Sequence, residues 1–127
     1  MIPIYYVTDE IDSGASHVAD YRQTLINLNA QFLQTLTSWA HSIGVQSSTQ
    51  VVYNLPMDML ANIPDVDAPE TETLGFSHNI DSYRQYAGPA NLAGKRIISS
   101  EAGAVQLSAY QQTIPELLWD LKRSIVG

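Results

Sequence analysis

The chain has 127 residues, of which 45% are hydrophobic and 15% charged, and this size and composition are those of one globular domain with a hydrophobic core. Its 13 acidic and 6 basic residues give a net charge of −7 without any Lys or Arg cluster, which argues against nucleic acid as a partner. The absence of cysteine excludes disulfides and thiolate zinc sites.

Residues 4–7 are apolar and aromatic and predict a strand almost at the start of the chain. Asp9 and Glu10 follow too soon for a signal peptide, and no apolar run reaches the roughly 18 residues of a membrane helix. We therefore expect no membrane contact. A strand so close to the start is typical of the middle of a fold, so we expect a chain truncated at both ends.

A helix of about 26 residues is predicted next, because apolar side chains recur at spacings of three and four. Ser16 is the expected N-cap, and Gly44 is the residue expected to end the helix. We expect the apolar stripe to be buried against the core. It consists of Val18, Tyr21, Leu25, Leu28, Phe32, Leu36, Trp39 and Ile43.

Residues 45–53 predict a strand, with valines and Tyr53 separated by more polar side chains than a buried strand normally carries. Two interpretations stay open: the polar end faces a substrate, or the strand lies at a sheet edge with one face in water. A short helical turn is predicted at residues 57–62.

An acidic segment follows, with four acids within eight residues and no basic partner. Such crowding costs free energy unless the carboxylates are solvated, share a proton or hold a cation. Pro69 argues against a central strand, and composition favours an acidic surface loop. In an extended conformation Glu70 and Glu72 would point the same way. A calcium site formed by Asp65, Asp67 and Glu70 is a further hypothesis.

Two helical segments are predicted between residues 79 and 93, interrupted at Gly88 and Pro89. A β-type run at residues 96–99 then leads to Glu101. Near the end of the chain, Thr113 and Glu116 predict a capping box that opens a last helix. Its predicted inner face consists of Ile114, Leu118, Leu121 and Ile125.

The order of these elements alternates β and α, which predicts an α/β fold with parallel strands, either an open sheet or part of a barrel. Glu101 follows Glu72 by about one βα repeat, so both carboxylates are expected at neighbouring strand ends on one rim. There is no glycine-rich phosphate loop and no Gly-x-Ser-x-Gly elbow. Paired carboxylates at strand ends are instead typical of glycoside hydrolysis.

Four stretches together, residues 50–59, 66–72, 88–95 and 98–101, resemble the middle of a catalytic barrel. The family they resemble is glycoside hydrolase family 106, the α-L-rhamnosidase-like proteins, in particular secreted fungal relatives. The resemblance implies a partial (β/α) barrel, TIM-like, of three to four βα units, formed by residues 1–127 as a single domain. It also implies an extracellular parent enzyme and a carbohydrate substrate.

By this likeness Glu101 and one of Glu70 or Glu72 are the acid and base of an inverting hydrolysis of an α-linked deoxysugar. Gln50 lies in the sugar site of the family, and the further substrate-binding residues expected are Tyr53 and Asp67. No cofactor is expected beside the calcium hypothesis.

A complete barrel needs about 250 residues, so this chain holds at most half of one. The alternative is a non-catalytic remnant or sugar-binding fragment, folded as a small open α/β layer. Its exposed sheet edges would favour self-association.

Overall fold

The computed structural model describes residues 12–51, 55, 57–105 and 110–127. The strand predicted at residues 4–7 and the predicted site residue Tyr53 lie outside the described residues. Helices and strands alternate along the described part of the chain: α1 (Ala15–Ser42), β1 (Ser48–Thr49), α2 (Met59–Asn62), β2 (Ala68–Glu72), α3 (Ile80–Leu92), β3 (Ser99–Glu101) and α4 (Ile114–Val126). A 3-10 turn, Ile63–Asp65, continues α2.

The three described strands form one parallel sheet in the order β1-β2-β3. They contain only 2, 5 and 3 residues. The prediction of a partial (β/α) barrel is therefore wrong, because the described strands are too few and too short for a segment of an eight-stranded barrel. The described fold is a small open α/β layer in which β1 and β3 are the edges.

The acidic segment forms the central strand β2, so the surface loop favoured by composition is also wrong. The register of β2 with its two neighbouring strands explains why Pro69 is tolerated there. Ala68 donates its N–H to the Ser47 carbonyl on the β1 side, so the next nitrogen, that of Pro69, faces β3. The ladder with β3 begins one residue later, at Glu70, so the missing N–H leaves no ladder bond unmade.

Helix α1 ends as predicted and begins differently. Gly44 has a left-handed backbone with φ of 79°, and its N–H donates to the His41 carbonyl at 3.0 Å, which closes the last turn. At the other end the Asp12 carboxylate, not Ser16, caps the helix. It accepts the N–H groups of Gly14 at 2.9 Å and Ser16 at 2.8 Å.

The apolar stripe predicted to bury α1 is largely exposed, so this prediction is wrong. Leu28, Phe32 and Trp39 each expose more than half of their surface. The buried face carries Leu33 and Ala40 instead, which lie about 100° further round the helix.

Polar side chains of α1 explain this rotation. Asn29 Nδ2 donates to Asn62 Oδ1 at 3.0 Å, and Gln34 Nε2 donates to Asp65 Oδ1 at 2.7 Å. Thr37 Oγ1 donates to the Asp65 carbonyl at 3.0 Å. These three bonds attach one flank of the helix to the segment before β2, and they turn the stripe away from the core.

The core lies between α1, α3 and the sheet face that carries Val51. Phe76 contacts Tyr83 edge to face, with 5.1 Å between ring centroids, and Tyr86 at 5.7 Å. The remaining buried members of the cluster are Leu33, Ile63, Val66 and Ala90.

The break predicted at Gly88 and Pro89 is wrong, because α3 is continuous through both residues. Pro89 has no N–H for the carbonyl four residues earlier, so one helical hydrogen bond is missing. Burial on both sides of the proline holds the helix together. The buried residues of α3 are Tyr83, Tyr86 and Ala90.

Helix α4 begins with the predicted capping box of Thr113 and Glu116, which is confirmed. Its predicted inner face is wrong, since three of its four residues, Ile114, Leu118 and Ile125, are exposed. The buried side chain of α4 is Asp120. Its carboxylate binds His78 Nδ1 at 3.0 Å, accepts Gln112 Nε2 at 2.8 Å and lies 3.7 Å from Arg123 Nη1. Polar contacts therefore determine which face of α4 is buried, as they do for α1. Within the described ranges, no helix combines the length and apolarity that crossing a membrane requires.

Candidate functional site

One face of the sheet carries the polar residues that the sequence singled out. Alternate residues of a strand point to the same face, and paired residues of parallel neighbours share it. Glu70 pairs with Ser99 and Glu72 with Glu101, so these four side chains project together. We call this the concave face, and it consists of Ser48, Gln50, Glu70, Glu72, Ser99 and Glu101.

Two hydrogen-bonded connections cross this face from β1 to β3. Gln50 Nε2 donates to Glu101 Oε2 at 2.6 Å. Ser48 Oγ and Ser99 Oγ are 3.2 Å apart, and Ser99 Oγ donates to Glu70 Oε2 at 3.0 Å. Since the one proton of the Ser99 hydroxyl goes to Glu70, Ser48 is the donor toward Ser99.

These connections require a bent sheet. Strands on either side of a central strand would be about 9 to 10 Å apart if the sheet were flat. Two serine side chains are too short to meet across that distance. The sheet therefore curves toward this face.

The carboxylates of the concave face contact neighbours of different kinds. Glu101 is bonded to the neutral amide of Gln50, and Glu70 to the hydroxyl of Ser99. Glu72 folds over Gly75, where any Cβ would collide with its carboxylate. Glycine at position 75 is thus required for the observed orientation of Glu72.

Behind the sheet, Tyr86 supports the middle of β2. Its hydroxyl donates to the Glu70 carbonyl at 3.0 Å. Burial, and next the negative charge of Glu70, raise the pKa of Tyr86 well above its ordinary value. The phenol is therefore a permanent donor that fixes the backbone from which the Glu70 side chain projects.

Asp67, predicted to bind substrate, lies at the opposite, amino end of the strands. Its Oδ2 accepts the Ser47 N–H at 2.8 Å and the Ser47 hydroxyl at 3.2 Å, and it binds His41 Nε2 at 2.8 Å. The residue connects the end of α1 and the start of β1 to the start of β2. Desolvation by itself would raise the pKa of Asp67, but the hydrogen bonds from Ser47 and His41 hold it below its ordinary value.

Replacing Asp67 with asparagine is expected to lower the free energy of unfolding by about 2 kcal/mol at neutral pH, because a carboxylate that accepts several bonds is lost. The folded pKa of Asp67 is depressed, so its stabilisation is complete above the unfolded value and disappears as pH falls through the folded value. Urea denaturation from about pH 5 to about pH 3 should therefore show the difference between the two proteins shrinking. Asp20→Asn, at an exposed position of α1, is the control. A difference that is constant with pH would contradict the assignment.

The calcium hypothesis receives no support, because its three carboxylates bind different partners. Asp65 accepts hydrogen bonds from Gln34 and Asn62. Asp67 binds Ser47 and His41, and Glu70 binds Ser99. Among the residues that the structure describes, no group of three or more His, Asp or Glu side chains could hold a metal ion.

The structure thus brings four of the six predicted site residues to one face: Gln50, Glu70, Glu72 and Glu101. It places Asp67 elsewhere, and Tyr53 lies outside its described residues. Ser48 was considered only as one of the polar residues of the strand predicted at residues 45–53, and Ser99 was missed. A signal for them exists, since each precedes a predicted site residue by two positions and a strand alternates with that period.

Comparison of the chain with protein-family models, curated proteins and solved structures finds no significant match. The functional argument therefore rests on the chemistry of the concave face.

Proposed function

We propose that the concave face binds a neutral sugar and that its carboxylates hydrolyse an α-linked deoxysugar, with an α-L-rhamnoside as the first candidate. The observation that carries the proposal is the 2.6 Å bond between Gln50 and Glu101, which spans the strand that bears Glu70 and Glu72. The bond joins an amide and a carboxylate across this face, where Glu70 accepts from Ser99 and the Glu72 carboxylate lies over Gly75. These are groups that bind sugar hydroxyls and perform acid–base chemistry on a glycosidic bond.

The hydrogen bonds suggest how the roles divide. Glu70 and Glu101 each accept a hydrogen bond from a neighbouring side chain, which suits an ionised carboxylate. We assign Glu101 as the base that removes a proton from the attacking water. Glu72, directed over Gly75, is assigned as the acid that protonates the oxygen of the leaving group.

In this inverting displacement, water forms a new bond to the anomeric carbon as the bond to the leaving oxygen breaks. The base takes one proton from water and the acid gives one to the leaving group, so the protons balance. Gln50 positions Glu101, and Ser99 positions Glu70.

Turnover of chromogenic α-L-rhamnosides and other α-linked glycosides by the purified chain tests the proposal. Glu101→Gln is expected to lose about a thousandfold in kcat, the range of general acid–base catalysis. Asp20→Asn makes the same change of carboxylate to amide at an exposed position of α1 and should retain full activity. Proton NMR of the first-formed sugar anomer reports the stereochemistry. Unchanged turnover in Glu101→Gln would refute the catalytic assignment.

The competing function is sugar binding without turnover. The small open sheet favours it, because the described strands offer three ends instead of the eight of a barrel rim. An NMR titration with L-rhamnose separates the two functions. Shifts at Gln50 and Glu101 without hydrolysis of any glycoside in the panel would establish binding alone.

A further inference from the structure

Helix α1 carries an exposed row of large apolar side chains, which lies away from the polar residues that bind the segment before β2. We call it the α1 stripe. Each member exposes between 43% and 62% of its surface. The members are Leu28, Phe32, Leu36, Trp39 and Ile43. The stripe shares no residue with the concave face.

The spacing of the α1 stripe is symmetric about its middle. When the helix is laid antiparallel on a copy of itself, with the centre between residues 35 and 36, Leu28 comes opposite Ile43 of the copy. In the same register Phe32 comes opposite Trp39, and Leu36 lies next to its own counterpart. The stripe is therefore complementary to itself, as a two-fold symmetric interface requires.

The area and charge of the stripe also suit a second copy. Its exposed fractions correspond to roughly 550 Å² of apolar surface, and flanking polar residues would bring each copy near the about 800 Å² of a standard interface. Residues 23–40 contain no charged side chain. Two copies, each with a net charge of −7, could thus approach along this helix without placing like charges in contact.

A groove beside the α1 stripe is large enough to accommodate one side chain of the second copy. It has a volume of about 270 Å³ and runs between α1 and the chain before β1, where Leu36, Trp39 and Val45 line it. In the antiparallel register the partner's residue opposite Trp39 is Phe32. An aromatic side chain in an apolar groove at the centre of a patch is typical of an interface hot spot.

We propose that the chain forms a two-fold symmetric dimer through antiparallel pairing of the α1 stripe. The mass in solution, measured by light scattering after gel filtration, is expected to be twice the chain's 14.0 kDa. Phe32→Glu is expected to give the single-chain mass. Because Phe32 is 59% exposed, this change should leave the helical circular dichroism signal intact.

Gln31→Glu is the matched control, since it adds the same charge one residue away at an exposed position about 100° round the helix from Phe32, and it should remain dimeric. A wild-type protein of single-chain mass at high micromolar concentration would overturn the proposal. So would a dimer that persists in Phe32→Glu.

The orientation is tested by single-cysteine variants, which the cysteine-free sequence makes straightforward. Leu36→Cys, close to the symmetry axis, is expected to oxidise to a covalent dimer, whereas Leu28→Cys alone is not. A mixture of Leu28→Cys and Ile43→Cys should give the mixed covalent dimer. Efficient cross-linking of Leu28→Cys to itself would indicate a parallel pair and overturn the antiparallel register.

Discussion

Replacing Tyr86 with alanine is expected to lower the free energy of unfolding by about 4 kcal/mol, a large share of the stability of a domain of this size. The ring of Tyr86 has no exposed surface and packs against Phe76. Its removal leaves a cavity between α3 and the sheet. The Glu70 carbonyl also loses the phenol that binds it at 3.0 Å.

Urea denaturation monitored by circular dichroism measures this effect. Tyr86→Phe keeps the ring and removes only the hydroxyl, so it should cost about 1 kcal/mol. Tyr110→Ala removes a fully exposed tyrosine and should stay within about 0.5 kcal/mol of the wild type. Equal stability of Tyr86→Ala and Tyr110→Ala would show that α3 is not the centre of the core.

Replacing Asn62 with aspartate is expected to cost about 3 kcal/mol or more at neutral pH, although the side chain keeps its shape. Asn62 is fully buried and donates to the Ile26 carbonyl at 3.3 Å and to Asp65 Oδ2 at 3.2 Å. The substitution removes both donated bonds. It also places a second carboxylate, shielded from water, against that of Asp65.

The pH dependence identifies the cause. Desolvation and the charge of Asp65 raise the folded pKa of the introduced carboxyl above its unfolded value, so the folded state is favoured by protonation. The loss of stability in Asn62→Asp should therefore be largest at neutral pH and smaller as pH falls. Asn27→Asp, at an exposed position of α1, is the control and should stay within about 0.5 kcal/mol of the wild type, because the new carboxylate can still accept the bond from Gln23 Nε2. A pH-independent loss in Asn62→Asp would point to the missing donors alone.

Local signals in the sequence predicted local structure. The capping box of Thr113 and Glu116 and the helix-ending Gly44 depend on residues within a few positions, and both are observed. The alternation that puts Glu70 and Glu72 on one side of an extended segment is equally local. It holds in β2, where the two residues pair with Ser99 and Glu101.

Features set by distant partners could not be predicted in this way. Pro69 is compatible with a central strand only because the β3 ladder begins after it, and this depends on a strand about 30 residues away. The faces of α1 and α4 were misassigned for a related reason. Apolar periodicity predicts which residues could be buried, but in both helices polar contacts, such as those of Asn29 and Asp120, decide which face lies inside.

The candidate site likewise has a part that the sequence predicted and a part that depends on distant contacts. Glu72 and Glu101 could be placed on neighbouring strand ends from their spacing, and the register agrees. The bond from Gln50 to Glu101 depends on curvature of the sheet, which the sequence does not express locally. Ser48 and Ser99, whose hydroxyls mark that curvature, could be placed on this face only from their two-residue spacing to Gln50 and Glu101.

The order of the strands in the sheet has a consequence for how the molecule is made. Each described strand pairs with the next one along the chain, Ser48 with Ala68 and Glu70 with Ser99, so every ladder closes a loop of only about 20 to 30 residues. Folding can then proceed by successive addition, with β1 and β2 joined before β3 has been synthesised. In a nascent chain the acidic central strand β2 would thus have its first partner strand, β1, available before β3 is made.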